Sequence, residues 1–360
     1  MALGRRQTEW QEELFVTADK LPRSPGHVFY VKLNKLLGAA GFDAWVEQLC
    51  EPFYANGRGR PGVPPGTYFR MLLVGYFEGL GSQRGIAWRC SDSLSLRDFL
   101  GIPLVDDSPD HSSLSVIRNR LTLAVHGQVF QWILKLAEAQ KLLQGKTVAV
   151  DSTTLEADAA MKSIVRKDTG EDWQQYLTRL MKEEGAIAAD ETPSDDELRR
   201  FDKQRTDKKV SNDEWESKTD PASRITKMKD GRTHLAYKAE HVVDLETEMI
   251  LAAEIYAADQ ADTRTLEDSL NQAQTNLREA GSETQIEEAV ADKGYHANEQ
   301  LTAIREETSI RTYIPEPPAR TTEPTSAYLD GQTSRAEGGR VCQPPANSWR
   351  ARQRTSTFAK

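Results

Sequence analysis

One change of rhythm constrains this chain more than any other feature. Up to about Leu143, apolar residues recur every three or four positions, and from Thr147 they gather into short β-branched runs. The first rhythm belongs to helices, the second to strands. His27–Leu37, Ala44–Glu51, Thr67–Leu80, Ser82–Cys90, Ser95–Phe99, Ser112–Asn119 and Gln128–Leu143 each carry the helical spacing. Gly57–Gly66 (GRGRPGVPPG) and Gly101–Pro109 interrupt the series, and Ser108-Pro109-Asp110-His111-Ser112 supplies side-chain oxygens for a helix start. Helices this short are stable only when packed on one another. Residues 26–143 therefore predict a small all-α domain, preceded by a tail, 1–25.

Beyond Lys146 the pattern predicts a sheet. Thr147-Val148-Ala149-Val150 is a compact apolar run bounded by Gly145 and the polar Asp151-Ser152-Thr153-Thr154. Residues 162–222 are densely charged and predict a helical, solvent-facing insertion or a partly disordered one. His234–Asp244 and Met249–Ala257, joined by Leu245-Glu246-Thr247-Glu248, predict an antiparallel hairpin. Thr263–Glu279 is an amphipathic helix, Ile286–Ala291 a strand, Ala297–Glu306 a helix and Ile310–Ile314 a last strand. Strand, insertion, two strands, helix, strand, helix, strand is the order of a mixed sheet with helices, so the fold class is α+β.

Charge follows the same division. Of 46 Lys and Arg against 55 Asp and Glu, residues 1–150 hold 17 and 14, residues 151–320 hold 23 and 38, and residues 321–360 hold 6 and 3. The net −9 argues against a nucleic-acid partner, but the deficit is confined to the middle block and the helical block is mildly basic. The longest strongly apolar run, Met71–Phe77, is far short of the ~20 residues of a membrane span. MALGRRQTEW lacks an apolar leader core. Cys50, Cys90 and Cys342 are scattered and fit neither a disulfide framework nor a zinc site. A reducing, cytoplasmic setting without a membrane is expected.

Two aspartates end apolar strands: Asp151 after TVAV and Asp292 after EEAVA. Carboxylates at the ends of neighbouring strands can converge on a divalent cation through oxygen ligands. From local sequence alone each reads first as a cap or turn residue closing its strand. Lys293 and Tyr295, just after Asp292, suit a phosphate contact or a glycine-bearing turn at Gly294. His234 and Lys238 share one face of their strand and His241 takes the other, too few ligands for zinc. Arg58 and Arg60 in the Gly/Pro loop, with Arg84, Arg89, Arg97, Arg118 and Arg120 in or beside helices, make a phosphate-contacting set. Lys238 and Lys293 join Arg58, Arg60, Arg84, Arg118 and Arg120 as the foremost DNA-contacting candidates. Trp88 and Trp132 fall at apolar helical positions and are expected in the core.

Five stretches, in order, resemble the DDE transposases of bacterial insertion sequences: Gly59-Arg60-Pro61-Gly62-Val63-Pro64-Pro65 with Tyr68-Phe69-Arg70-Met71-Leu72-Leu73; Pro109-Asp110-His111-Ser112-Ser113-Leu114-Ser115; Val150-Asp151-Ser152-Thr153; Asp230-Gly231-Arg232-Thr233-His234-Leu235-Ala236-Tyr237-Lys238-Ala239-Glu240-His241; and Ala291-Asp292-Lys293-Gly294-Tyr295-His296. The resemblance runs from about residue 25 to 320. It implies an N-terminal helical domain that helps bind transposon ends, then a ribonuclease-H-like catalytic domain over 144–320. It further implies two Mg²⁺ (or Mn²⁺) ions held by three acids, of which Asp151 matches the first and Asp292 the second. The partners implied are DNA, as terminal inverted repeats and target, and a second copy of the chain in a synaptic complex. A non-catalytic DNA-binding remnant and a nuclease sharing the fold are the alternatives.

The third acid of that family belongs on a helix after the last strand. Glu316, Glu323, Asp330 and Glu337 are the only acids after Ile314, and none lies in a helical pattern; Pro315, Pro317 and Pro318 flank Glu316. Residues 321–360 do not resemble the family. Gly339–Ser348 can be written in codons that, read one nucleotide later, encode Ala-Val-Tyr-Ala-Asn-Arg-Arg-Arg-Ile-Arg, a basic continuation of the family's kind. A frameshift near 320–325 is therefore expected, leaving the catalytic domain incomplete at its C-terminal end and this chain inactive in cleavage.

Overall fold

The computed structural model describes residues 17, 26–55, 62–205 and 211–316. The chain divides into two compact units, 1–130 and 131–360. The division falls inside a helix.

Among its described residues, the regular elements of the first unit are all helices. Its elements are α1 (Val28–Ala39), α2 (Phe42–Cys50), a 3-10 turn (Glu51–Phe53), α3 (Pro65–Phe77), α4 (Gln83–Asp92), α5 (Leu94–Leu100) and α6 (His111–Arg120), while α7 (Leu123–Ala139) runs into the second unit. Local chemistry sets the boundaries. Ser82, Ser93 and Asp110 cap the starts of α4, α5 and α6 by accepting from the amides of Gly85, Leu96 and Ser113. Leu37, Phe42, Val46, Tyr68, Met71, Val74, Leu96, Phe99 and Leu114 form the core. Arg70 is buried among them, bonded to Asp43 and Asn34 and lying over the rings of Phe42 and Phe99. A guanidinium is tolerated there because it is paired and stacked. Helices α3 and α4 meet at Gly75, where an added Cβ would stand 2.6 Å from Ile86 Cδ1. All seven expected helices are present, with ends shifted by up to five residues.

The second unit is built on β1 (Thr147–Glu156), which is longer than its apolar run. Its later elements are β2 (Ile164–Arg166), α8 (Trp173–Glu183), α9 (Asp195–Gln204), β3 (Trp215–Ser217), β4 (Arg224–Lys227), β5 (Thr233–Asp244), β6 (Ile250–Ala257), α10 (Asp262–Ala280), β7 (Glu288–Ala291), α11 (Asn298–Thr308) and β8 (Arg311–Tyr313). The main sheet runs β4-β5-β1-β7-β8, with β6 also on β5. Strand β5 is antiparallel to β1, β4 and β6, while β7 is parallel to β1 and β8 to β7. Ala236 pairs with Glu156 on one edge of β5 and with Arg224 on the other, so β4 and β6 follow one another along that far edge. Three antiparallel strands, then a helix, then parallel strands is the ribonuclease-H-like order expected, and the unit is α+β.

Helix α10 buries Leu266, Leu270, Ala273 and Leu277, each large side chain contributing about 1.5–3 kcal/mol by leaving water. The buried Asp244 accepts from the amides of Gln144, Gly145 and Glu246 and the hydroxyl of Thr247, tying the start of β1 to the hairpin.

The insertion corrects one expectation. Its described residues are neither simply helical nor structureless: β2 and β3 pair as a second sheet, and Leu177, Met181 and Leu198 make a core of their own beside buried Trp215. Helices α8 and α9 each begin with a full capping box, at Asp172 with Gln175 and at Ser194 with Glu197. Strand β4 was not expected. Among the described residues, no helix is long and apolar enough to cross a membrane.

Candidate functional site

The parallel pairing of Val150 with Ala291 aligns the ends of β1 and β7. The next residue on each strand is an aspartate, so Asp151 and Asp292 stand at the same end of adjoining strands, whose axes are about 4.8 Å apart. Asp151 is exposed and its Oδ1 accepts from the amide of Ser152 at 2.9 Å. Asp292 caps the 3-10 turn Lys293–Tyr295, accepting from Gly294 at 2.7 Å. Across the antiparallel pairing, Asp151 faces His241. Burial holds the His241 pKa down, opposed by the carboxylates of Asp151 and Glu240.

On the other face of the strands lies a buried polar cluster. Lys238 Nζ is 2.6 Å from Thr265 Oγ1, 3.1 Å from Asp262 Oδ1 and 3.5 Å from Glu240 Oε2, and it sits over the Tyr256 ring. Glu240 is wholly buried and accepts from Ser269 at 2.5 Å, Thr265 at 2.8 Å and Tyr295 at 2.9 Å. Asp262 also accepts from Ser152 Oγ at 3.1 Å. Burial above all raises the Tyr295 pKa, with Glu240 and Asp262 adding to it and Ser152 opposing, so the phenol remains a donor. Sequence reasoning missed Glu240. Its signal was Lys238-Ala239-Glu240, opposite charges two apart and hence on one face.

The DNA-contacting candidates separate. Arg84, Arg118, Arg120 and Lys293 are exposed, with Arg120 lying over the Tyr54 ring. Arg58 and Arg60 lie outside the described residues. Arg89 is bonded to Glu78, and Arg97 donates to the carbonyls of Pro103 and Asp106. Lys238 is a correction: a side chain 7% exposed with its ammonium turned inward does not present itself to a phosphate. Trp88 is another. It is 67% exposed, one helical turn beyond Arg84, and not in the core.

Asp151 and Asp292 offer hard oxygen donors, the chemistry that suits Mg²⁺ or Mn²⁺, and Mg²⁺ is commonly held by one or two carboxylates with waters and phosphates completing the shell. Among the described residues no group of three or more His, Cys, Asp or Glu is arranged around a metal position.

The strand order and the paired acids define the class, a ribonuclease-H-like domain with carboxylates at its strand ends. Residues 17–120 match the family described as Transposase domain (DUF772), and residues 143–354 match the Transposase DDE domain. With more than half of its length under that second match, the chain belongs to the DDE transposases. The match continues to residue 354, past residue 320, where the resemblance in the quoted motifs ends. Among solved structures, the chain is similar to the Mos1 transposase paired-end complex with the left transposon end (10% identity, 75% of this chain and 65% of that one, TM-score 0.22). It is also similar to the Mos1 mariner paired-end complex with Mn (9%, 82% and 68%, TM-score 0.22). The chain thus spans just under two thirds of the first of these. No curated protein matches.

Proposed function

We propose that this protein binds the terminal inverted repeats of an insertion sequence and that its fold is built for metal-dependent DNA strand cleavage and transfer. The observation that carries this reading is the alignment of Asp151 and Asp292 at the ends of adjoining parallel strands within a DDE domain. These two carboxylates would hold Mg²⁺ or Mn²⁺. Such ions activate a water or hydroxyl and stabilise the leaving oxygen in phosphoryl transfer. Arg84, Arg118 and Arg120, with the exposed Trp88, would contact DNA from the helical unit, and Lys293 would meet a phosphate beside Asp292. Action as a homodimer in a synaptic complex, in the cytoplasm, completes the proposal. A gel shift on the element's terminal repeats tests it. Binding that falls steeply with salt and prefers those repeats supports the reading, while equal binding to unrelated DNA favours a fold-sharing nuclease.

The acid content after Ile314 supports a second, finer reading: this chain is a DNA-binding remnant, shifted out of frame near 320–325, that occupies transposon ends without cutting them. The family match that continues to 354 weighs against the shift. Sequencing the gene decides the frame, and Mg²⁺-dependent cleavage by the purified 360-residue chain overturns the inactivity.

A further inference from the structure

Each candidate metal-binding acid has a near neighbour in sequence anchored to one buried cluster. Tyr295 lies in the turn capped by Asp292, is 1% exposed, and gives its hydroxyl to Glu240 at 2.9 Å. Ser152, next to Asp151, gives its hydroxyl to Asp262 at 3.1 Å. Glu240 and Asp262 are in turn bridged by Lys238, at 3.5 and 3.1 Å. The turn also passes close to Asp262: a Cβ added at Gly294 would lie 3.0 Å from Asp262 Oδ2 and 2.9 Å from Asp292 Oδ1. Glu240 has both carboxylate oxygens engaged, by Ser269 on one side and by Thr265 and Tyr295 on the other. It is wholly buried and held by three hydroxyls, which suits a supporting role.

We infer that Glu240, Lys238 and Tyr295 form a positioning network that fixes the relative placement of Asp151 and Asp292 from behind the sheet. Alternation along a strand places such a network on one face and the residues it serves on the other. Partners that orient metal ligands through a second layer of hydrogen bonds typically govern affinity by 10–100-fold when lost. The inference rests on the metal-binding reading of Asp151 and Asp292.

The test is titration calorimetry of the full chain with Mn²⁺ alone, beside hydrogen exchange of the Gly294 amide and thermal unfolding. Tyr295→Phe is expected to weaken Mn²⁺ about tenfold and to speed Gly294 exchange, with an earlier unfolding midpoint because the buried Glu240 loses a donor. Tyr313→Phe, which loses a hydroxyl bound to Glu288 at the opposite end of β7, is expected to leave both unchanged. Should Tyr295→Phe fail to fold, Ser152→Ala carries the same test through Asp262. Wild-type affinity in Tyr295→Phe, or equal weakening in Tyr313→Phe, overturns the network while leaving the metal reading intact. If the wild-type chain binds no Mn²⁺, the metal reading fails, and Gly294 exchange alone decides the network, unaltered protection in Tyr295→Phe overturning it.

Discussion

The two faces of the sheet at the end of β1 carry similar residues under opposite conditions. Behind, Lys238 and Glu240 are packed under α10, and Lys238 bridges Glu240 to Asp262 at the start of that helix. In front, Asp151 is exposed at the mouth of the strands beside Asp292. The difference is one of parity. Asp151 and Ser152 are adjacent in sequence yet face opposite ways, as do Glu240 and His241, and their register pairs like with like: Asp151 with His241, Ser152 with Glu240. The carboxylate of Glu240 behind the sheet is enclosed by hydroxyl donors, while that of Asp151 in front reaches solvent.

That contrast can be broken most sharply at Lys238. Lys238→Met leaves Glu240 and Asp262 without their shared cation, and removing one partner of a buried charge group costs about 3–5 kcal/mol. Denaturant unfolding of the variant is expected to show that loss, and unchanged stability would erase the distinction between the faces. Asp151→Asn is the complement. It is expected to weaken Mn²⁺ at least tenfold by calorimetry, since even outer-layer losses cost that much, while stability stays within about 0.5 kcal/mol as for an exposed site. Gly294→Ala probes the seam between the faces. Crowding Asp292 and Asp262 is expected to cost about 1 kcal/mol, seen as an earlier unfolding midpoint with weaker Mn²⁺ binding.

The smallest effect belongs to His234, bonded to Asp230 at 2.9 Å and Glu156 at 2.7 Å. Asp230 first, then Glu156, raise its pKa above the usual 6.5. A raised folded-state value gives stabilisation that is complete below the unfolded pKa and disappears as pH rises through the folded one. NMR titration should find the His234 pKa elevated, and lower in Glu156→Gln.

The sequence was most legible where one physical signal dominated. The seven helices of the first unit announced themselves by apolar spacing, and Asp151 and Asp292 by closing apolar runs. Strand β4, Arg-Ile-Thr-Lys, was invisible because one buried residue, Ile225, makes no alternation. The insertion hid its core under its charge: Trp173, Tyr176, Leu177, Leu180 and Met181 do recur at helical spacing, and all pack in or against that core. Lys238 was misjudged because a lysine in a strand is ordinarily a surface residue. Only the pairing partners, set by long-range register, reveal that its face is the buried one.

The insertion has one further consequence. It leaves the sheet after Glu156 and returns at Arg224, and both residues pair with Ala236 from opposite sides. Its two ends are thus held two strand spacings apart, about 10 Å, whatever lies between. Closing a loop costs only about 0.6 kcal/mol more for each doubling of its length, so a detour of some sixty residues is little dearer in chain entropy than a short connection. A segment with its own caps, sheet and core, entered and left at neighbouring points, is one that a lineage can gain, lose or exchange while the strands bearing the two aspartates stay in register.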